Sequence, residues 1–293
     1  MYKEQPEFTI ESLLSRLNKW RFYPKFQLER HFDVILSFIL PDLLAQFVRN
    51  GNSSLPKEIS AECMAKAHII PEFPLPLRFF KETDHHQAIA VDFALFIPDK
   101  ELKRIENVLF VELKTDESSA RETQNEYMEQ LQTSIPQERG NFGGIVSEII
   151  EMILASNNPR KYLYLLHNFS AMGLTKRLGN MFEDFFNNTN RFQKAKFLKS
   201  EDTVPDLSHI NYSPLLIAPQ SVTEKLFSNS ASSSLPVLGF NTAKNLIEKI
   251  ENKTNRKLLS ILGEYLDQWN SSPISRIEDE DFFKTLTSKE NVT

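Results

Sequence analysis

Three residues carry types and spacing that could do chemistry together: Asp92, Glu112 and Lys114. Asp92 sits inside the apolar run AIAVDFALFI (88–97), and Glu112 and Lys114 close a second run, VLFVELK (108–114). Both runs are rich in Val, Ile, Phe and Ala, and the stretch 98–107 between them holds charged and turn-forming residues, so they read as two strands of a hairpin. Residues two apart on a strand share a face; Glu112 and Lys114 therefore point the same way and Leu113 points to the opposite, buried side. The neighbouring strand brings Asp92 beside them. Two carboxylates converging on one point repel unless a cation neutralises them, and a hard divalent ion such as magnesium, with manganese as the alternative, suits oxygen ligands. A lysine next to that ion can position or deprotonate a water, or neutralise charge developing on a phosphate. Glu-x-Lys alone is a common tripeptide. Its context raises it here, because an unpaired glutamate and lysine in a strand as apolar as VLFVELK would be costly.

With these residues in place, the pattern VDFALF followed by VLFVELKTD resembles the core of the PD-(D/E)XK nuclease superfamily, with Asp92 at its aspartate and Glu112 and Lys114 at its (D/E)XK. The resemblance implies a restriction-endonuclease-like mixed sheet with an αβββαβ core, magnesium held by Asp92 and Glu112, and hydrolysis of phosphodiester bonds in DNA, with RNA as the other substrate. It also implies a glutamate from the first core helix reaching the metal, for which Glu29 is the candidate and Glu62 the weaker one. On the helix after the lysine it implies a supporting glutamine, matched by Gln124, with Tyr127 three residues on and Gln130 on the same side. The superfamily's proline is absent, since Val91 precedes Asp92. The competing expectation is a catalytically inactive nuclease-like scaffold that binds nucleic acid or protein. On the carboxylate-repulsion argument, removing Glu112 is expected to leave the metal-free fold intact or more stable.

The elements that must hold these residues follow from hydrophobic spacing. Residues 9–20 and 25–48 read as helices, broken near Pro24 and bent or ended near Pro41. The stretch 51–76 mixes a short amphipathic piece, 61–67, with four prolines and reads as irregular. Helices are expected over 121–134 and 144–155, a buried strand over 161–167 (KYLYLLH), one or two helices over 174–199, and a short strand over 214–218. This order makes the class α/β with a mixed sheet flanked by helices. Residues 1–227 form the nuclease-like domain, 228–236 (SNSASSSLP) a polar loop, 237–270 a C-terminal helical appendage whose 242–269 form one long or two shorter helices, and 271–293 a flexible acidic tail.

The composition, 41% hydrophobic and 25% charged, is that of a globular protein, and 293 residues can bury a large core. The one cysteine, Cys63, excludes an intramolecular disulfide and a cysteine zinc cluster. MYKEQPEFTI does not read as a signal peptide and no apolar run is long enough for a span, so the expectation is a cytoplasmic chain with no membrane partner and an open oligomeric state, a homodimer included. A net charge of -5 does not announce nucleic acid. Basic residues do cluster: Arg16, Lys19, Arg21, Lys25 and Arg30 in one stretch, and Arg160, Lys161, Lys176, Arg177, Arg191, Lys194, Lys196 and Lys199 in another. His85, His86 and His167 read as structural, and Asp116, Ser118 and Arg121 as caps of the following helix, with contact to phosphate as the alternative.

Overall fold

A computed structural model of the chain describes residues 28–51, 55–81, 87–115, 122–133, 141–156, 162–176, 204–228, 235–250 and 256–271. At its centre β2 (Ala88–Pro98) and β3 (Ile105–Leu113) form the expected antiparallel hairpin, in register Phe93 to Val111 and Phe96 to Val108. β3 is buried along almost its whole length, as its continuous apolar run requires of a strand covered on both faces. β4 (Asn211–Ala218) lies parallel to β3, and β5 (Val237–Gly239) parallel to β4. β1 (His68–Pro76) pairs antiparallel with β2, giving a five-stranded mixed sheet in the order β1-β2-β3-β4-β5.

β1 corrects the expectation of an irregular stretch over 51–76. Pro71, Pro74 and Pro76 all lie in this strand. It is an edge strand, the position where a residue without an N–H forfeits no ladder bond, while Phe73 and Leu75 bury completely or nearly so.

Helices cover both faces. On the face of Leu109, Val111 and Leu113 pack α1 (Leu28–Arg49) and α2 (Ala61–Met64), joined by α8 (Phe240–Ile247) and α9 (Arg256–Ser271). The region 242–269 thus forms two helices. α1 runs through Pro41 instead of ending there. A helix-interior proline costs about 3 kcal/mol, and the burial of Leu40, Leu43, Leu44 and Phe47 around it outweighs that at about 1.5–3 kcal/mol per side chain.

On the other face, that of Val108 and Phe110, pack α3 (Leu77–Phe80), α4 (Glu122–Thr133), α5 (Phe142–Ala155), α6 (Leu163–Ala171) and α7 (Gln220–Ser228). α6 replaces the strand expected over 161–167. Leu165, Leu166 and Phe169 face the core while Tyr164 and His167 are exposed, a helical pattern. Gly173, at φ 72, ends the helix: its N–H donates to Ser170 O at 3.1 Å and that of Leu174 to Phe169 O at 2.8 Å. This is a Schellman stop, for which glycine is the preferred residue. Asn141 caps α5 by accepting from Gly144 N at 2.9 Å. Among the described residues no helix is long and apolar enough to cross a membrane.

Candidate active site

The β2–β3 ladder closes with the pair Phe93–Val111, whereas β2 stays paired with β1 through Val91 and beyond. Asp92, Glu112 and Lys114 sit where the two central strands leave their common register. The Asp92 side chain takes over there: its Oδ2 accepts from the Leu113 amide at 2.6 Å. On the other side the Lys114 amide donates to Ile217 O at 2.8 Å, holding the end of β3 against β4. Glu112 and Lys114 continue the face of Val108 and Phe110, and Leu113 joins the opposite core, as a period of two demands.

Glu112 and Lys114 are only 2% and 1% exposed, and Lys114 Nζ lies 2.5 Å from Glu112 Oε1. A buried ion pair this close offsets two desolvation costs at once, and either charge left alone there would be expensive. The expectation that loss of Glu112 is neutral or stabilising is therefore replaced by its opposite, because Lys114 already neutralises that carboxylate in the absence of metal. Asp92 is in a different state. Burial pushes its carboxyl above the usual carboxylate range, and the Glu72 carboxylate raises it further, against the opposing pull of the Leu113 amide and the Lys114 ammonium.

Glu72 is a residue that sequence reasoning passed over. It lies on β1 between the pairs Pro71–Phe93 and Phe73–Val91, opposite Asp92, with φ 49. A left-handed glutamate within a strand is uncommon and costs on the order of 1 kcal/mol. At this point the strand alternation slips: Ile70 and Phe73, three apart, face the same core. Only the local proline density hinted at irregular backbone here, and nothing in the sequence marks Glu72 itself.

Compared with known proteins, the chain matches no family model, and no curated protein or solved structure is significantly similar to it.

Of the other expected residues, Glu29 falls in the first turn of α1 and Gln124 in the first turn of α4; both side chains lie outside the described residues. α4 packs on the face that carries Glu112 and Lys114, and the described side chains of α1 pack on the Leu113 face. Glu62 is exposed on α2, in the layer across the sheet from Glu112. Tyr127 is half-buried against Phe80, their ring centroids 5.0 Å apart. Asp116, Ser118, Arg121, His85 and His86 lie outside the described residues, as do the side chains of Arg16, Lys19, Arg21, Lys25 and Arg30 and, apart from exposed Lys176, the whole second basic cluster. Among the described residues no group of three or more His, Cys, Asp or Glu side chains is placed to hold a metal ion. Asp92 and Glu112 thus offer two carboxylates on adjacent strands, a donor set that fits a magnesium ion completing its shell with water and substrate oxygens.

Proposed function

We propose that this chain is a magnesium-dependent nuclease that hydrolyses phosphodiester bonds of DNA, with RNA as the alternative substrate and manganese as the alternative ion. The observation that carries the reading is the convergence of Asp92, Glu112 and Lys114 at the parting of β2 and β3, with Lys114 Nζ and Glu112 Oε1 2.5 Å apart and both buried. The succession α1, α2, β1, α3, β2, β3, helices and β4, which differs from αβββαβ before β3 only by the one-turn helices α2 and α3, supports a restriction-endonuclease-like core, in which this hairpin is the catalytic element.

Asp92 and Glu112 would hold the ion, which when bound would neutralise the scissile phosphate and acidify a coordinated water. Asp92 is primed for a cation, since burial and Glu72 leave its negative charge under-compensated. Lys114 cannot ligate a metal while protonated. Its ammonium, fixed on the Glu112 side of the site, is the group to orient the attacking water or meet charge developing on the phosphate. Gln124, on the helix over the same face, would support that arrangement, and Glu29 would add a ligand if α1's first turn reaches around the strand end.

The competing reading, an inactive scaffold that binds nucleic acid or protein, draws on the missing third metal ligand among the described residues. One experiment separates the two: cleavage of plasmid and of single-stranded DNA by the purified chain, with magnesium and with a chelator. Magnesium-dependent cleavage that disappears in Glu112→Ala and falls sharply in Lys114→Met, the latter still binding magnesium by calorimetry, is the expected result. Full activity in Glu112→Ala, or none in the parent chain, would reject the nuclease.

A further inference from the structure

The burial of Glu112 and Lys114 restricts what can reach them. Side chains 2% and 1% exposed cannot meet the phosphates of an undistorted duplex, which lie along the outside of a rod stiff over roughly 150 base pairs. Only an unpaired base, in a single strand or at an end, presents a face free to stack on protein.

A pair of aromatic side chains lies at the same end of the sheet and on the same face. α3 leaves β1 directly and is tied to the start of β2 by the Leu77 amide donating to Gln87 O at 2.8 Å. This is the end toward which β3 runs, since Pro76 pairs with Ala88 and Asp92 stands four residues further along β2, roughly 13 Å at strand rise. Phe79 is buried in the core, with Phe80 half-buried and edge-on to it at 5.5 Å. Tyr127 of α4 meets Phe80 at 5.0 Å with ring planes 51° apart. Phe80 packs against the core shared by Met128 and Leu131 of α4, so the pair is anchored from below while both rings remain partly open to solvent. Helix α4, ETQNEYMEQLQT, holds no lysine or arginine and exposes Glu126. What that helix offers a nucleic acid is the ring of Tyr127, with no cation to neutralise a phosphate. Stacking on such surfaces is how single strands are held without sequence preference.

We propose that Phe80 and Tyr127 form a stacking platform for a nucleobase of the substrate, and that the site acts on single-stranded DNA or an unpaired DNA end in preference to a duplex interior. This rests on the nuclease reading and narrows its substrate. Two readouts test it on the full chain. In the first, a single-stranded oligonucleotide carrying 2-aminopurine is titrated with protein in calcium, without turnover, next to the same strand in a duplex and an RNA strand of equal length. The single DNA strand should be quenched on binding, and Tyr127→Leu should weaken that binding about tenfold or more, with Tyr127→Trp restoring it. In the second, magnesium-supported cleavage of the single strand by Tyr127→Leu should show a raised KM and a kcat close to that of the parent, with Phe80→Leu behaving alike. Equal binding of duplex and single strand, tighter binding of RNA than of DNA, no loss in Tyr127→Leu, or a Tyr127→Trp variant as weak as Tyr127→Leu would overturn the platform. Quenching without cleavage of any substrate would retain the platform and reject the nuclease.

Discussion

The buried pair Glu112–Lys114 yields a sharp stability prediction. Replacing Glu112 by Leu leaves an ammonium 1% exposed with its carboxylate gone, and replacing Lys114 by Met leaves a carboxylate in the same position. Breaking a buried pair from one side costs about 3–5 kcal/mol, whereas replacing both partners by apolar residues of similar volume is often neutral or stabilising. At an unfolding entropy of about 2.1 cal/mol/K per residue, a chain of 293 residues loses about 5–8 °C in Tm for 3–5 kcal/mol. Each single variant should therefore melt about 5–8 °C below the parent in chelator at neutral pH, and the double variant should recover most of that loss. Scanning calorimetry of the four proteins closes the cycle, with a coupling of at least about 3 kcal/mol. Losses that simply add in the double variant, or single losses under about 1 kcal/mol, would refute the pair as the element neutralising this site. Repeating the scans in magnesium extends the test. A metal at a hundred times its Kd stabilises by about 2.7 kcal/mol, so the parent should gain about 4 °C and Glu112→Leu almost nothing.

The remaining predictions concern the rest of this cross-strand row and the core beneath it. Asp92 has a folded pKa above its unfolded value, so the stability tied to its proton is present in acid below the unfolded pKa and lost as pH rises through the folded one; Asp92→Asn in chelator should be more stable than the parent at pH 7, with the gap closing toward pH 4, and urea unfolding that finds it less stable at pH 7 would contradict the shift. For the same reason an ion held by Asp92 would compete with its proton, so magnesium affinity by calorimetry should rise with pH across that pKa. Glu72→Gly removes a left-handed side chain at φ 49 and the repulsion on Asp92; it should raise stability by about 1 kcal/mol less the entropy glycine gains unfolded, and a loss above 1 kcal/mol in urea unfolding would show that Glu72 holds a contact worth more than its strain. Phe73, fully buried with its ring against Phe96, Phe110 and Phe169 at 5.6–6.1 Å, should lose about 3–5 kcal/mol on replacement by alanine, measured by the same unfolding.

How far these features can be read from the chain depends on whether the signal is local. β2 and β3 are legible because each is a long apolar run bounded by turn residues, and period two alone puts Glu112 and Lys114 on one face. α4, α5 and the two C-terminal helices follow from spacing. β1 is hidden by its prolines, which argue against a strand until it is known to lie at an edge, and edge position is a property of the whole sheet. α6 is hidden because Tyr162 to Leu166 reads as a continuous apolar run, and the deciding signals are the outward Tyr164 and His167 and the stop at Gly173. The contact between Glu112 and Lys114 was within reach of the sequence, since both share a face, yet its burial was not; that depends on helices brought over the sheet from distant parts of the chain. The left-handed turn of Glu72 has no sequence signature at all.

Short distance does not set this row apart from ordinary surface charge. Lys103 and Glu101 approach to 2.7 Å, almost as close as Lys114 and Glu112, but their side chains are 75% and 69% exposed, and such a pair contributes at most about 1 kcal/mol and constrains little. At the parting of β2 and β3 the chain instead tolerates several costs at neighbouring positions: a charged pair withdrawn from water, a carboxylate held where its negative form is disfavoured, and a glutamate in left-handed backbone opposite it. The pair could be removed by replacing both partners with apolar residues, and each of the other two costs by one substitution, without altering the hydrophobic pattern of the strands. Stability alone does not account for keeping them in a single row across β1, β2 and β3, since ion pairs withdrawn from water are weak evidence for stability and strained residues cluster where a structure does chemistry. A ligand whose charge is complementary to the row gives them a common cause. With two carboxylates from Asp92 and Glu112, a third from Glu72 near Asp92 and one ammonium, the row carries a net negative charge that a divalent cation would neutralise.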